Sequence, residues 1–436
     1  MYEYDTEIYS QISDCIPHTV TGFGISAQKD GEPFELAFNG PVQRWTNKNN
    51  KEDKYGVAVR LARIKDNITK ELYSKNIFFY CKIDFLDTIH NIYDFIDHIP
   101  HTVFTTLHSL DDYAIIDFSE IHTKMKYHAN EESVILEDLR FEPIVLPNGN
   151  DGWFVTGQGY RGKLELPTGA LIHDVGVYGN YIDPEEMQEN CVLHHLFGGL
   201  KFYDSENVKP YINDADVMKI NANFWIKGLM IGEDNNIIVQ SCKNSVLLPR
   251  MRENVFHIGA RTMTETKKLY YFRSEEENPF ANYHLQGEIL GLENCFTKDI
   301  WKSVRRIGLG SNFIRIDELD GFLGFAHVVL SKNDDEFLFT KDSRYPKVKE
   351  QYEGWAILLK YIDEKPVITV AKRAITPDDF PEKYVGLGEL FEDKRVAFPT
   401  SLYKTKEGNF YVAYGWGDRA IFSAEFKYDE IISALK

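Results

Sequence analysis

The chain has 436 residues, 43% of them hydrophobic and 27% charged, with a formal net charge of -18 at pH 7. That apolar share supplies a sizeable core and excludes a disordered chain, while the acidic balance excludes nucleic acid as the main partner, because a phosphate backbone requires clustered Lys and Arg. Aromatic residues reach 14%, with 29 Phe and 25 Tyr, a composition that favours strands and also suits sugar binding.

The N-terminal stretch MYEYDTEIYSQISDC has no basic start followed by an apolar run, and no later segment reaches bilayer-spanning length. A cytosolic protein with no membrane span is therefore expected. Cys15, Cys81, Cys191, Cys242 and Cys295 are scattered and odd in number, without CxxC spacing, which reads as reduced structural thiols.

Taken in chain order, PVQRWTNKNNKEDKYGVAVRLARI from Pro41 reads as a first hairpin, and DTIHNIYDFIDHI from Asp87 has apolar residues at helical steps. Further hairpins are predicted from Arg140 (RFEPIVLPNGNDGWFVTGQG), Asn223 (NFWIKGLMIGEDNNIIVQS), Asn312 (NFIRIDELDGFLGFAHVV) and Ala397 (AFPTSLYKTKEGNFYVAYG). In each, a turn rich in Gly, Asn or Asp separates two runs of strand-forming residues.

Between the hairpins lie AIIDF, KKLYYFR, WAILLKY and PVITVAKRAI, enough to give each repeat about four strands. The terminal YDEIISALK reads as a helix. The anchors Phe141, Phe224, Phe313 and Phe398 recur at intervals of 83, 89 and 85 residues. A unit of that size cannot bury both faces of its sheet alone, whereas several arranged about an axis do so. The expected fold is all-β: a five-bladed β-propeller with few short helices, forming one domain over 1–436 with blades from roughly residue 20 onward. A β-sandwich with incidental spacing is the alternative.

In a propeller the loops entering the inner strands converge on the axis, which singles out Arg44, Asp138, Arg140, Asn223 and Asn312. Glu137-Asp138-Leu139-Arg140 is the richest cluster: a carboxylate held near an Arg is placed for proton transfer, although such a tetrapeptide also serves as a solvated turn or a structural ion pair. Gly308-Leu309-Gly310 has no helix after it to bind phosphate, so close backbone packing is the competing reading. His327 at a strand end is either a sugar or phosphate contact or a satisfied structural histidine. Asp418 in YGWGDRAIF either binds a pyranose or closes a turn. No histidine spacing suggests a metal site, and there is neither a Gly-x-Ser-x-Gly elbow nor a Walker loop. No cofactor is implied.

The order Glu-Asp-x-Arg at 137–140, Ile-Gly-x-Gly at 307–310, His327, Phe-Pro-Thr at 398–400 and Tyr-Gly at 414–415 with Asp418 resembles the β-mannoside phosphorylases and β-1,2-mannosidases of glycoside hydrolase family 130. It is also similar to the related β-1,2-mannosyltransferases. The resemblance spans about residues 38 to 426 and implies a five-bladed propeller that transfers mannose-like groups by inverting single displacement.

By this resemblance Asp138 is the acid/base, Arg140 orients it, Asp418 binds sugar hydroxyls, His327 lies at the phosphate or reacting face, and Arg60 takes the place of an early family arginine. Leu139 stands where the family has proline. The family's His-Arg phosphate clamp falls on Gln240–Asn244, which lacks it, so weak phosphate binding is expected, with Lys243 and Arg273 as substitutes. The implied partners are a sugar or oligosaccharide and a sugar phosphate or nucleotide sugar. A glycosyltransferase or phosphorylase leads the functional readings, followed by a β-mannosidase-like hydrolase and a non-catalytic glycan-binding propeller.

Overall fold

The computed structural model describes residues 15–26, 36–46, 53–66, 71–81, 114–117, 135–165, 171–183, 194–198, 229–231, 237–239, 242–249, 255–262, 266–274, 283–331, 348–380 and 394–436. These residues are mostly strand, in agreement with the all-β expectation.

The first strand, β1 (Thr19–Ser26), pairs with none of its sequence neighbours and is taken up by the last sheet. The first sheet consists of β2 (Leu36–Phe38), β3 (Val42–Thr46), β4 (Asp53–Asp66), β5 (Glu71–Cys81) and β6 (Ala114–Asp117). Within it β2 and β3 lie along the two halves of β4, as one interrupted strand would. The second sheet runs β7 (Ile135–Val145), β8 (Asp151–Glu165), β9 (Leu171–Ile182), β10 (His194–Gly198).

A separate pair, β11 (Leu229–Ile231) and β12 (Ile237–Val239), precedes the third sheet. That sheet runs β13 (Cys242–Leu247), β14 (His257–Thr262), β15 (Leu269–Ser274), β16 (Tyr283–Glu288). After a short helix, α1 (Lys298–Ser303), come β17 (Val304–Leu309), β18 (Ile314–Ile316), β19 (Gly321–Ser331), β20 (Glu350–Ile362) and β21 (Lys365–Ile375). Here β17 and β18 share β19 as β2 and β3 share β4. The chain ends with β22 (Lys394–Lys404), β23 (Phe410–Trp416), β24 (Ala420–Phe426) and α2 (Tyr428–Leu435).

β24 pairs on its outer edge with β1, Thr19 opposite Glu425 and Ser26 opposite Ala420. Residues from the two ends of the chain therefore complete one sheet, which covers an edge that would otherwise be open to aggregation. The described strands thus make antiparallel meanders, the last two of which are joined into one nine-stranded sheet by the parallel pairing of β20 with β22, beside the separate β11–β12 pair. Neighbouring meanders touch in succession: β3 meets β7, β7 meets β13, β13 meets β17, and β22 meets β3 and also β19, the partner of β17. The core lies between these sheets. One cluster joins Val246, Leu309, Trp355 and Ile357 across the third and fourth sheets, and another joins Phe325, Leu358, Trp416, Phe422 and the inner face of α2. Each such side chain contributes about 1.5–3 kcal/mol by leaving water.

Two expectations need correction. The hairpin expected from Asn223 does not start the third sheet: its described part is the separate β11–β12 pair, and the first strand of the sheet is β13. The runs IIV and SVLL are separated only by the short polar stretch QSCKN, which carries no turn signal to announce a new strand at Cys242. Nor are the anchor phenylalanines equivalent. Phe141 follows the bulge in β7 and stacks on Trp153, and Phe313 follows the break between β17 and β18. Phe398, by contrast, precedes the register shift in β22 and faces His327. The feature shared by the first strands is the interruption itself, at Asn39, Asp138, Asn244, Gly310 and Thr400, and its intervals are uneven. Phe224 and the segment 87–99 lie outside the described residues, whereas the terminal helix is present as α2. Among the described residues no helix is long and apolar enough to cross a membrane.

Candidate active site

The candidate site is assembled from these interruptions. In β7 the register slips between Glu137 and Arg140, so that Asp138 and Leu139 stand opposite one residue of β8. Asp138 has φ 50°, Asn39 φ 50° and Asn244 φ 56°. This left-handed region penalises most L residues, but Asp and Asn tolerate it. Three Asx residues thus turn out of their ladders at matching points of three neighbouring sheets.

Their side chains form a chain of hydrogen bonds. Asn39 Nδ2 donates to Asp138 Oδ1 at 2.9 Å, and Gln158 Nε2 donates to Asp138 Oδ2. Gln158 Oε1 accepts from the Asn244 backbone N–H at 2.8 Å, and Asn244 Nδ2 lies 3.2 Å from His327 Nε2. The run Asn39–Asp138–Gln158–Asn244–His327 crosses four sheets and is buried throughout. Both Asp138 oxygens accept N–H groups, and Arg60 Nη1 is 3.7 Å from Oδ1.

Glu137 beside it accepts from Arg60 Nη2 at 2.9 Å and from Lys243 Nζ at 3.0 Å. Burial pushes its carboxyl up, but the charges of Arg60 and Lys243 outweigh that and hold it at about 2. Asp418 sits in the turn between β23 and β24 with φ 54°. Burial lifts its carboxyl to about 6 against the pull of Arg60, with Asp138 adding repulsion.

On the His327 side the wall is cationic. The buried Arg140 donates through Nη1 to the carbonyls of Asp138 and Leu139 at 3.0 and 2.9 Å and lies 5.1 Å from the Phe398 ring centre. Its Nε and Nη2 are buried without a partner. Arg261 stands opposite Lys243 across β13 and β14, donates weakly to the Thr262 carbonyl, and leaves Nε unpaired. Burial pulls both guanidiniums down to about 10, Arg261 with further repulsion from Arg306 and Arg140 with partial relief from Asp138. Arg306 is engaged by Glu350 and Tyr352.

Burial and the charges of Arg261, Arg140, Arg306 and Lys243 hold His327 well below its ordinary value, so it is neutral near pH 7. Its ring packs 4.5 Å from that of Phe398, and its Nδ1 has no partner. A buried N–H left unsatisfied costs about 1–3 kcal/mol. An anion seated against Arg140 and Arg261 removes that cost.

Of the residues singled out in the sequence, Asp138, Arg60, Arg140, His327 and Asp418 are drawn together. Asn312 is nearby but acts as a strut: its Oδ1 accepts from Gln43 Nε2 at 2.5 Å and from the Leu402 backbone N–H at 2.8 Å. Arg44 is directed to the Lys404 carbonyl, 3.3 Å away at the other end of β3 from Asn39. Arg273, offered above as a phosphate substitute, pairs with His257 at the far end of β14 from Arg261, and Lys243 is taken by Glu137. Asn223 lies outside the described residues.

The Gly308–Gly310 motif follows the close-packing reading. A side chain on Gly308 would strike His327 and Asn244, and one on Gly310 would meet the Pro399 carbonyl at 2.8 Å. Asn39, Gln158 and Arg261 were not singled out in the sequence, Asn244 entered only as part of the segment lacking the His-Arg clamp, and Arg306 only as the start of the Gly308–Gly310 cluster. Asn39-Gly40-Pro41 is a turn signal directly before a predicted strand, and Arg305-Arg306 precedes Ile-Gly-x-Gly; both were visible. Gln158 and Arg261 lie inside strands and carry no local signal.

No family model and no curated protein matches the chain. Solved structures resemble it at low identity. A β-1,2-mannobiose phosphorylase from Listeria innocua, in complex with β-1,2-mannobiose, is 15% identical over 96% of this chain and 99% of that one, with a TM-score of 0.46. A mannose phosphorylase from Leishmania mexicana, in complex with phosphate ion, is 10% identical over 94% and 89%, with a TM-score of 0.43. A GDP-Man-dependent mannosyltransferase from the same organism is 12% identical over 93% and 90%, with a TM-score of 0.38.

Proposed function

We propose that the chain is a single closed five-bladed propeller, working in the cytosol, that transfers a mannose-like glycosyl group between a phosphate-activated donor and an acceptor hydroxyl, with inversion. The observation that carries this reading is the juxtaposition of Asp138, whose two oxygens accept amide hydrogen bonds, with Arg140 and Arg261, whose buried N–H groups lack partners.

In the direction of transfer the acceptor oxygen attacks the anomeric carbon as the bond to the donor phosphate oxygen breaks. An ionised Asp138 takes the proton released by the acceptor, directly or through a substrate hydroxyl. Arg140 and Arg261 receive the charge that builds on the departing phosphate oxygen, in a buried setting where such donors are worth more than in water. In reverse, the protonated Asp138 returns the proton to the leaving sugar oxygen. Neutral His327 hydrogen-bonds the anion without adding charge.

A hydrolase needs in addition a carboxylate base for water on the opposite face of the sugar, and Glu137 is committed to Arg60 and Lys243. The absent His-Arg clamp argued for weak phosphate binding, but the pairing of β13 with β14 supplies Arg261 in its neighbourhood. Sugar 1-phosphates are thus admitted as donors beside nucleotide sugars.

The test is incubation of the protein with a panel of sugar 1-phosphates and nucleotide sugars plus mannose or mannobiose, reading released phosphate or nucleotide and the new glycoside. Release that depends on acceptor and is abolished in Asp138→Asn supports the reading. Liberation of mannose from β-mannosides in water would replace it with a hydrolase, and a silent panel together with glycan binding would replace it with a binding propeller.

A further inference from the structure

A cavity of about 330 Å³ lies between the third and fourth sheets, lined in part by His257, Tyr271, Arg273 and Gln286. His257 is four residues along β14 from Arg261, roughly 13 Å at the rise of a strand, so the cavity is at the opposite end of that sheet from the Lys243–Glu137 pair. Tyr271 is paired in register with Gly287, which leaves no side chain over its ring from that neighbour. The register slips just beyond this pair, and Gln286 is the unpaired residue of the bulge, turned out of the ladder into the cavity.

The facing wall is the two-residue turn between β20 and β21, where Asp363 (φ 49°) and Glu364 (φ 64°) both adopt the left-handed conformation, followed by Lys365. The cations Arg273 and Lys365 balance the anions Asp363 and Glu364. Burial and the neighbouring Arg273 depress the His257 pKa, so the imidazole adds no net charge near neutral pH. The buried Nδ1 of His257 has no hydrogen-bond partner.

A charge-balanced pocket that offers donors and acceptors on several sides, with a phenol ring between them, is poorly suited to a free anion or cation. It suits a neutral polyhydroxylated ring, whose hydroxyls use both signs and whose C–H face rests on the aromatic. We propose that this cavity is a second, non-catalytic site that binds an uncharged sugar unit of a glycan. The site does not depend on the transfer reading.

The test uses the full-length protein and amide hydrogen exchange with neutral disaccharides, mannobiose and cellobiose, as probes, with glucuronate and mannose 1-phosphate as charged controls. A neutral disaccharide is expected to protect segments 255–262, 269–274 and 283–290. The exposed double variant Arg273→Met, Gln286→Ala is expected to weaken that protection about tenfold in apparent affinity, with thermal stability and any glycosyl-transfer turnover unchanged. Absence of protection by neutral sugars up to about 10 mM, protection by the charged probes alone, or protection that survives the double variant would each overturn the proposal. Transfer is read separately as product release, so a failure of either idea is distinguishable from a failure of the other.

Discussion

Replacing Asp138 separates its chemical role from its structural one, because its partners respond differently to different substitutes. In Asp138→Asn the residue still tolerates φ 50°. The new amide must point its oxygen at Gln158 Nε2, since Gln158 is fixed by the bond from the Asn244 backbone to its Oε1. Its Nδ2 then meets Asn39, whose Oδ1 has no partner in the native arrangement and accepts that hydrogen once the Asn39 amide flips. Arg60 keeps Glu137 at 2.9 Å. The expected loss of stability is within about 1 kcal/mol.

Asp138→Ala has no such rescue. It places a Cβ-bearing, non-Asx residue in the left-handed region and strands the Gln158 donor, costs of roughly 1–2 and 1–3 kcal/mol. Denaturant unfolding of both variants, with glycosyl-transfer turnover measured alongside, checks the argument. Asp138→Asn should fold almost as well as the native chain and lose about 10²–10⁴ in rate, the usual worth of a general acid or base. Equal destabilisation by Asn and Ala would refute the flipping network, and native turnover in Asp138→Asn would refute the proton-transfer role.

Gly308→Ala drives a methyl group into His327 and Asn244; a stability loss of about 1–3 kcal/mol from overpacking, accompanied by lost turnover, is expected in thermal unfolding. Arg261→Gln removes one charged donor from the anion wall, and the KM for a phosphate-bearing donor should rise about 10- to 100-fold with little change in the unfolding midpoint. The Asp418 carboxyl has a folded pKa of about 6 against an ordinary 3.8, so the folded state holds this proton more tightly than the unfolded one. Its contribution to stability therefore falls as pH rises from about 4 to 6 and stays low above that. Asp418→Asn should gain stability over the native protein above pH 6 and little below pH 4, which a pH series of unfolding curves reads directly. Glu137 runs the other way: held at about 2, it contributes stability above its unfolded pKa near 4.5 that is lost as pH falls towards 2. The deficit of Glu137→Gln should accordingly vanish over that range.

The local levels of the structure were legible in the sequence. The Asn-Gly turn at 148–149 and the Glu-Gly turn at 407–408 end strands where expected, Pro41–Ile64 forms a hairpin through β3 and β4, and YDEIISALK is helical, because turn chemistry and side-chain period are properties of a few adjacent residues. Of the motif residues, Asp418 sits at a turn as its Gly-rich surroundings suggest, whereas Asp138 and Arg140 lie at the bulge inside β7 and His327 lies within β19 rather than at a strand end.

The tertiary structure alone decided where each first strand breaks its ladder. That break depends on the register of a strand against its neighbour, and a bulge leaves the apolar pattern on either side almost unchanged. Phe398 and Phe141 therefore align by spacing although they stand on opposite sides of their interruptions, and the strand that opens the third sheet begins just beyond the hairpin expected from Asn223. The pairing of β1 with β24 joins residues some 400 positions apart, and the contact of Gln158 with Asp138 or of Arg261 with Lys243 exists only once strands lie side by side. Such contacts are set by the packing of whole sheets about a common centre, and no window of sequence contains both partners.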